Sequence, residues 1–157
     1  MELYLLRHGI AEDHAATDAD RELTEEGRNK VRRVMKRAAQ AGVSPSLIIS
    51  SPYKRALETA EIAASELAYE GKILRAGSLT PDSSPPSVWS EIKEHRDEPS
   101  ILLAGHEPLF SATVAYLLGS TQQMVEFKKA ALVRIDLHSF STPQGILQWM
   151  LTPKLTS

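Results

Sequence analysis

The sequence predicts an α/β fold, a three-layer αβα sandwich built on a mostly parallel mixed sheet. Three observations lead there. Short apolar runs at residues 2–7, 47–50, 72–75 and 100–104 alternate with segments of helical apolar spacing. That is the pattern of βαβ units, whose crossovers place helices on both faces of a parallel sheet. Two further runs, 131–137 and 146–151, flank Ser141-Thr142-Pro143-Gln144-Gly145 and read as an antiparallel hairpin added at the end. At 157 residues, 42% of them hydrophobic, the chain can build a substantial core. Residues 1–157 are expected to form a single domain, with no internal repeat.

Taken in order, the first strand-like run ends at Arg7 and leads through a polar loop to Leu23. Thr24 is placed to cap a helix, with Glu25 and Glu26 in the first turn, where carboxylates favour the helix dipole. Val31, Val34, Met35 and Ala38 repeat at helical spacing, and Gly42 closes the helix. After the second run, Ser51 is expected as N-cap and Pro52 as the first residue of a second helix. Its Ala56, Thr59, Ala60 and Ala63 make a small-residue face, and it should end near Tyr69, before Gly71. Residues 77–87 hold three of the nine prolines and read as an ordered loop. Residues 88–95 and 108–118 read as helices on either side of the central apolar strand, and a loose tail is expected from Pro153.

Composition narrows the function. A formal net charge of -2 argues against a nucleic-acid binder, which carries a basic excess. With no cysteine, disulfides and thiolate chemistry are excluded. No stretch has the apolar length to span a bilayer, and Met1-Glu2-Leu3-Tyr4 lacks the basic start of a signal peptide. The expectation is a cytoplasmic monomer that engages neither nucleic acid nor membrane.

Chemistry concentrates at three strand ends, the edge of an open α/β sheet where ligands bind. Arg7-His8-Gly9 ends the first run, Ser50-Ser51-Pro52-Tyr53-Lys54-Arg55 follows the second, and Gly105-His106-Glu107-Pro108 follows the central one. A neutral imidazole at His8 can attack phosphorus and form a covalent phosphohistidine. Arg7 and Arg55 suit the equatorial oxygens, since guanidinium forks pair bidentately with phosphate. His106 can add a further donor, and Gly9 would allow close backbone approach of the phosphate. Such a site works by positioning and charge stabilisation, with no metal or other cofactor.

Each residue also has an ordinary reading. Arg7 and His8 could be a strand-end surface pair, Arg55 a solvated helix arginine pairing Glu58 or Glu61, and His106 a satisfied strand-end histidine. The coincidence at three equivalent positions is what favours a site. A metal centre of His8 and His106 with Asp82 or Glu107 would set a divalent cation beside two arginines, at an electrostatic cost. Metal-ligand spacings such as HxxxH and HExxH are absent, as are a P-loop and a GxGxxG. His14, His95 and His138 lie in polar contexts and read as surface residues without partners.

These motifs resemble the histidine phosphatase superfamily, whose mark is an RHG at the end of the first strand. More narrowly the chain is similar to the SixA-type protein phosphohistidine phosphatases, through LYLLRHGIAE, the segment from Asp20 to Gly27, SSPYKRALETA and GHEP. The resemblance implies a phosphoglycerate-mutase-like fold, His8 as nucleophile, and a phosphate pocket of Arg7, Arg55 and His106. Arg21 matches the arginine of the family's RxLT segment and would be a further ligand, unless it pairs with Asp18 or Asp20. Many relatives carry a glutamate general acid after the third strand, in a leucine-x-glutamate context. Here the segment is Leu79-Thr80-Pro81-Asp82, with proline in its place. Asp82 is adjacent and is the first candidate for a substitute acid, Glu107 the second.

The missing acid bears on substrate. An alkoxide leaving group needs a proton in the transition state, whereas imidazole is far less basic, with a reference pKa of about 6.5. Phosphohistidine on a signalling or phosphotransfer protein, carried by a histidine phosphotransfer domain or a histidine kinase, therefore fits best. The short span between the third run and His106 leaves no room for a large lid. A small-metabolite phosphomonoesterase and a non-catalytic phosphate-binding module are the alternatives.

Overall fold

The computed structural model describes residues 1–157. Six strands, β1 (Glu2–Arg7), β2 (Leu47–Ser50), β3 (Ile73–Arg75), β4 (Ser100–Gly105), β5 (Leu132–Leu137) and β6 (Gly145–Leu151), form one sheet in the order β3-β2-β4-β1-β5-β6. The four strands β3, β2, β4 and β1 are parallel to one another, while β5 adds antiparallel to β1 and β6 antiparallel to β5. Four helices accompany them: α1 (Glu25–Gln40), α2 (Lys54–Glu66), α3 (Pro85–Glu94) and α4 (Leu109–Leu117). The sandwich is the one expected.

The side-chain alternation of a strand sorts each buried strand residue to one of two cores. Leu3 and Leu5 of β1, with Ile49, Ile101 and Leu103, pack against Val88, Trp89 and Ile92 of α3 and Phe110 and Val114 of α4. Tyr4 and Leu6, with Ile48, Leu102 and Ala104, pack against Val31, Val34, Met35 and Ala38 of α1 and Ala60 and Ala63 of α2. β4 is flanked by strands on both sides and helices on both faces, so all six of its residues are buried.

The ends of α1 follow local chemistry. Thr24 Oγ1 accepts from Gly27 N–H at 2.9 Å. At the other end Gly42 takes φ +85°, with Val43 N–H bonded to Ala38 C=O and Gly42 N–H to Ala39 C=O, each at 3.0 Å. This is a complete Schellman closure.

Other boundaries shift from expectation. Ser51 does not cap α2, which starts at Lys54 with Tyr53 as its N-cap. The hydroxyl of Ser51 instead accepts from Tyr53 N–H at 3.2 Å and turns toward His106. α2 stops at Glu66 because Ala68 adopts φ +53°, and Tyr69 N–H closes onto Ala64 C=O at 2.9 Å; Gly71 plays no part in that turn. α3 begins at Pro85 within the expected loop, since Ser84 caps it and Pro85 and Pro86 fill positions where no N–H is needed. The tail is a 3₁₀ turn, Pro153–Thr156, lying on α1, where Arg33 donates to Pro153 C=O at 3.4 Å.

α1 docks closely on the chain leaving β1. Gly27 is buried, and a Cβ there would overlap the carbonyl oxygen of Ile10. An unobstructed Gly→Ala change inside a helix gains about 1 kcal/mol. Here the overlap is with backbone, and overpacking costs about 1–3 kcal/mol. Gly27→Ala is expected to lower the free energy of unfolding, measured by urea denaturation; a gain would show that residues 8–11 yield freely.

Candidate active site

Parallel pairing sets three strand ends side by side. Arg7 lies opposite Gly105 and Ser50 opposite Ala104. Just past these tips, His8 N–H bonds Gly105 C=O and Ser51 N–H bonds Ala104 C=O, both at 2.9 Å. His8, Ser51 and His106 are thereby brought to one edge of the sheet. α2 starts beyond Ser51 and carries Arg55 on its buried face.

His8 is 8% exposed, and its Nδ1 lies 2.7 Å from Gly9 C=O, an oxygen that can only accept. The ring proton is therefore on Nδ1, and Nε2 keeps its lone pair. Arg55 Nε–H donates to that Nε2 at 3.4 Å. Burial foremost, with the Arg55 and Arg7 charges, pushes the His8 pKa down to about 4, against the opposing hydrogen bond to Gly9. A buried imidazole that stays neutral is poised as a nucleophile.

His106 is 1% exposed and its ring centre lies 5.1 Å from that of His8. Burial, followed by the neighbouring His8 and Arg55, lowers its pKa to about 3. Its Nε2 lies 2.8 Å from Ser51 Oγ. Tyr53 N–H already donates to that oxygen, so the hydroxyl proton is satisfied when it points at Nε2. The His106 proton then sits on Nδ1, which is buried and has no partner. Tyr53 packs edge-on against the ring at 5.3 Å and also lies under the Arg55 guanidinium.

Arg7 donates from Nη1 to Phe127 C=O at 2.6 Å, and its buried Nε also has no partner. Burial lowers the Arg7 pKa, with Glu107 opposing. Two buried donors without partners at the same sheet edge as His8 are suited to pairing with an anion. Arg55 is 5% exposed, and its remaining nitrogens bond Asp18: Nη1 to the backbone C=O at 2.8 Å and Nη2 to Oδ2 at 3.2 Å. Neither acid named as its ordinary partner holds it, since Glu58 bonds Leu23 N–H and Arg28 instead.

The remaining candidates separate. Gly9 serves packing: its N–H donates to Thr59 Oγ1 at 3.2 Å, and a Cβ would meet Val31 Cγ2 at 2.9 Å and Gly27 C=O at 3.0 Å. The absence of a Cβ at Gly9 lets α1 approach closely on that side. Arg21 bonds Glu12 C=O at 2.6 Å and Asp18 Oδ1 at 2.9 Å, so it reaches Arg55 through Asp18. Asp82 is exposed and accepts from Thr80 Oγ1 at 2.8 Å. Glu107 does not simply face solvent; it is half-buried and accepts from Ser111 N–H at 2.6 Å, capping α4. His95, read as unpartnered, pairs with Glu91 at 3.0 Å; with Glu94 they bring ligand atoms within 4.8 Å, an ion-pair group on α3. Ser51, Tyr53 and Asp18 went unrecognised as site residues, Ser51 because its position before a proline reads as a helix cap.

The neutral histidines have a measurable consequence. The His8 value near 4 lies below the ordinary 6.5, so on acidification the unfolded chain takes up a proton first. Stability contributed by neutral His8 is complete above about 6.5 and is lost as pH falls toward about 4. In ¹⁵N NMR, His8 Nε2 is expected to remain unprotonated well below the ordinary histidine range; a midpoint near 6.5 would refute the buried neutral state.

Residues 3–76 match the family described as Histidine phosphatase superfamily (branch 1). An uncharacterized protein of Picosynechococcus is 37% identical over 139 residues, 85% of this chain and 83% of that protein. The phosphohistidine phosphatase SixA of Escherichia coli is 28% identical, across 98% of this chain and 94% of its own. A solved structure of the protein histidine phosphatase SixA complexed with tungstate superposes with a TM-score of 0.90 at 26% identity, covering 98% of each chain. With its RHG at the tip of β1, the chain belongs to the histidine phosphatase superfamily, and along its whole length it is similar to SixA proteins.

Proposed function

We propose that this phosphatase is a protein phosphohistidine phosphatase acting through a covalent intermediate on His8. The observation that carries the reading is the state of His8: buried, neutral, with its proton anchored on Gly9 C=O and its unprotonated Nε2 met only by the 3.4 Å hydrogen bond from Arg55. In the first step that lone pair forms a bond to phosphorus. The P–N bond to the substrate histidine breaks, and its electron pair returns to the departing imidazole. In the second step a water oxygen attacks phospho-His8, the P–N bond breaks with its electron pair returning to Nε2, and inorganic phosphate leaves with both protons of the water, one of which it can release to solvent. Arg7, Arg55 and the Nδ1–H of His106 neutralise the phosphoryl oxygens throughout.

The choice of phosphohistidine rests on the leaving group. Pro81 stands where relatives carry an acid, and Asp82 is exposed and engaged with Thr80. Without an acid at that position, a departing imidazole is favoured over a departing alkoxide. Between β3 and β4 the chain forms only a short 3₁₀ turn, Gly77–Leu79, and α3, with no lid-sized insertion. Such a site suits a side chain on a protein surface, on a histidine phosphotransfer domain or a histidine kinase. That SixA proteins are named phosphohistidine phosphatases supports the same substrate class. No helix is long and apolar enough to cross a membrane, in keeping with a cytoplasmic signalling partner. Arg21 would act through Asp18 on Arg55.

Incubation with a phosphohistidine-bearing phosphotransfer domain tests this. His8→Ala is expected to reduce turnover at least about 10³-fold, and an alkaline quench of the native protein should trap phospho-His8. Turnover unaffected by His8→Ala would overturn the mechanism. Asp82→Asn is expected to stay within about twofold of the native rate, as for a surface side chain outside the reaction; a large loss would show that this carboxylate supplies the proton after all.

A further inference from the structure

Asp18 stands at the mouth of the site. Its side chain is 57% exposed while its Oδ2 holds the buried Arg55 at 3.2 Å. Arg55 in turn reaches His8 Nε2 through Nε, so one guanidinium has the attacking nitrogen at its buried end and this carboxylate at its open end. In-line transfer to His8 places the leaving group on the side of phosphorus away from Nε2. Asp18, bonded to the other end of the Arg55 guanidinium and 57% exposed, is the carboxylate within reach of a group leaving toward solvent.

Resting on the function proposed above, we infer that the Asp18 carboxylate selects phosphohistidine over phosphate esters by holding a proton on the departing imidazole ring. A phosphohistidine has one ring nitrogen bonded to phosphorus and a second that can carry hydrogen. When the second is protonated, the ring leaves as neutral imidazole: the P–N bond breaks, its electron pair goes to the nitrogen released, and no further proton is needed. A carboxylate accepting from that second N–H stabilises the protonated ring and so raises the share of substrate ready to react. The same negative charge opposes a departing alkoxide.

The surroundings of Asp18 fit an acceptor and not an acid. The hydrogen bond from Arg21, then the charge and hydrogen bond of Arg55, hold its pKa below the usual carboxylate range. It is therefore ionised at working pH. The charged or titratable groups facing it are Arg21 from its own loop, Arg55 from α2 and, through its field, His106 beyond β4. Both arginines remain charged, and His106 stays neutral well below neutral pH, so none of the three competes to titrate there.

The test compares native protein, Asp18→Asn and Asp18→Glu on a phosphohistidine peptide and on p-nitrophenyl phosphate, whose leaving phenolate needs no proton, across pH. Asp18→Asn is expected to lower the ratio of kcat/KM for phosphohistidine over the ester by about tenfold, the scale of one charge-assisted hydrogen bond. Its alkaline limb on phosphohistidine should move to lower pH, while the profile on the ester keeps its shape. Asp18→Glu should recover part of the ratio. Equal losses on both substrates with superposable pH profiles would overturn the inference and leave Asp18 as a prop for Arg55. If the native protein hydrolyses the ester but leaves phosphohistidine untouched, the functional reading itself falls, and this one with it.

Discussion

Everything at the site depends on the parallel pairing of β1 and β2 with β4 between them. Parallel strands point their carboxyl ends the same way, so the residue after each strand emerges at a common edge. The register then decides which residues meet. With Arg7 opposite Gly105 and Ser50 opposite Ala104, the next residues along are His8, His106 and Ser51. A slip of one residue would send a strand's buried side chains to the opposite face. The same leucines and isoleucines that build the two cores therefore hold the register of the site.

That edge carries an electrostatic load that the fold tolerates in a particular way. Two imidazoles and a guanidinium are buried together, and desolvation resolves the conflict by keeping both imidazoles neutral. Two donors, Arg7 Nε and His106 Nδ1, remain buried without acceptors. Such groups cost free energy when unpaired, and an anion that supplied acceptors would offset that cost.

Between β1 and α1 the chain is tied down from several sides. Gly9 N–H is held by Thr59 of α2, Leu23 N–H by Glu58 of the same helix, and Ile10 C=O accepts from Thr24 N–H while lying against Gly27 of α1. Ala11 and Leu23 also form a β-bridge. The segment bearing Asp18 and Arg21 thus hangs from a closed base, which lets Asp18 reach Arg55 with its backbone carbonyl and its carboxylate together. At both glycines, 9 and 27, a Cβ would obstruct this close approach of α1.

The architecture was legible from the sequence because it is written in local pattern: short apolar runs in the strands, helical spacing of apolar residues in α1, a threonine cap and a terminal glycine. That Arg7, His8 and His106 lie at strand ends, with Arg55 in the first turn of the helix after β2, was legible because sequence can identify those places. What only the tertiary structure decided are matters of distance between segments far apart in the chain. The job of Gly9 depended on Val31 and Thr59, the partner of Arg55 on a loop residue 37 positions away, and the role of Ser51 on His106, 55 positions away. Helix ends at Ala68 and Pro85 moved because capping competes among several nearby residues, and packing chooses between them. Local composition determines which elements form and where they end to within a turn, but hydrogen bonds and charges are satisfied across space, and their partners exist only once the sheet has closed.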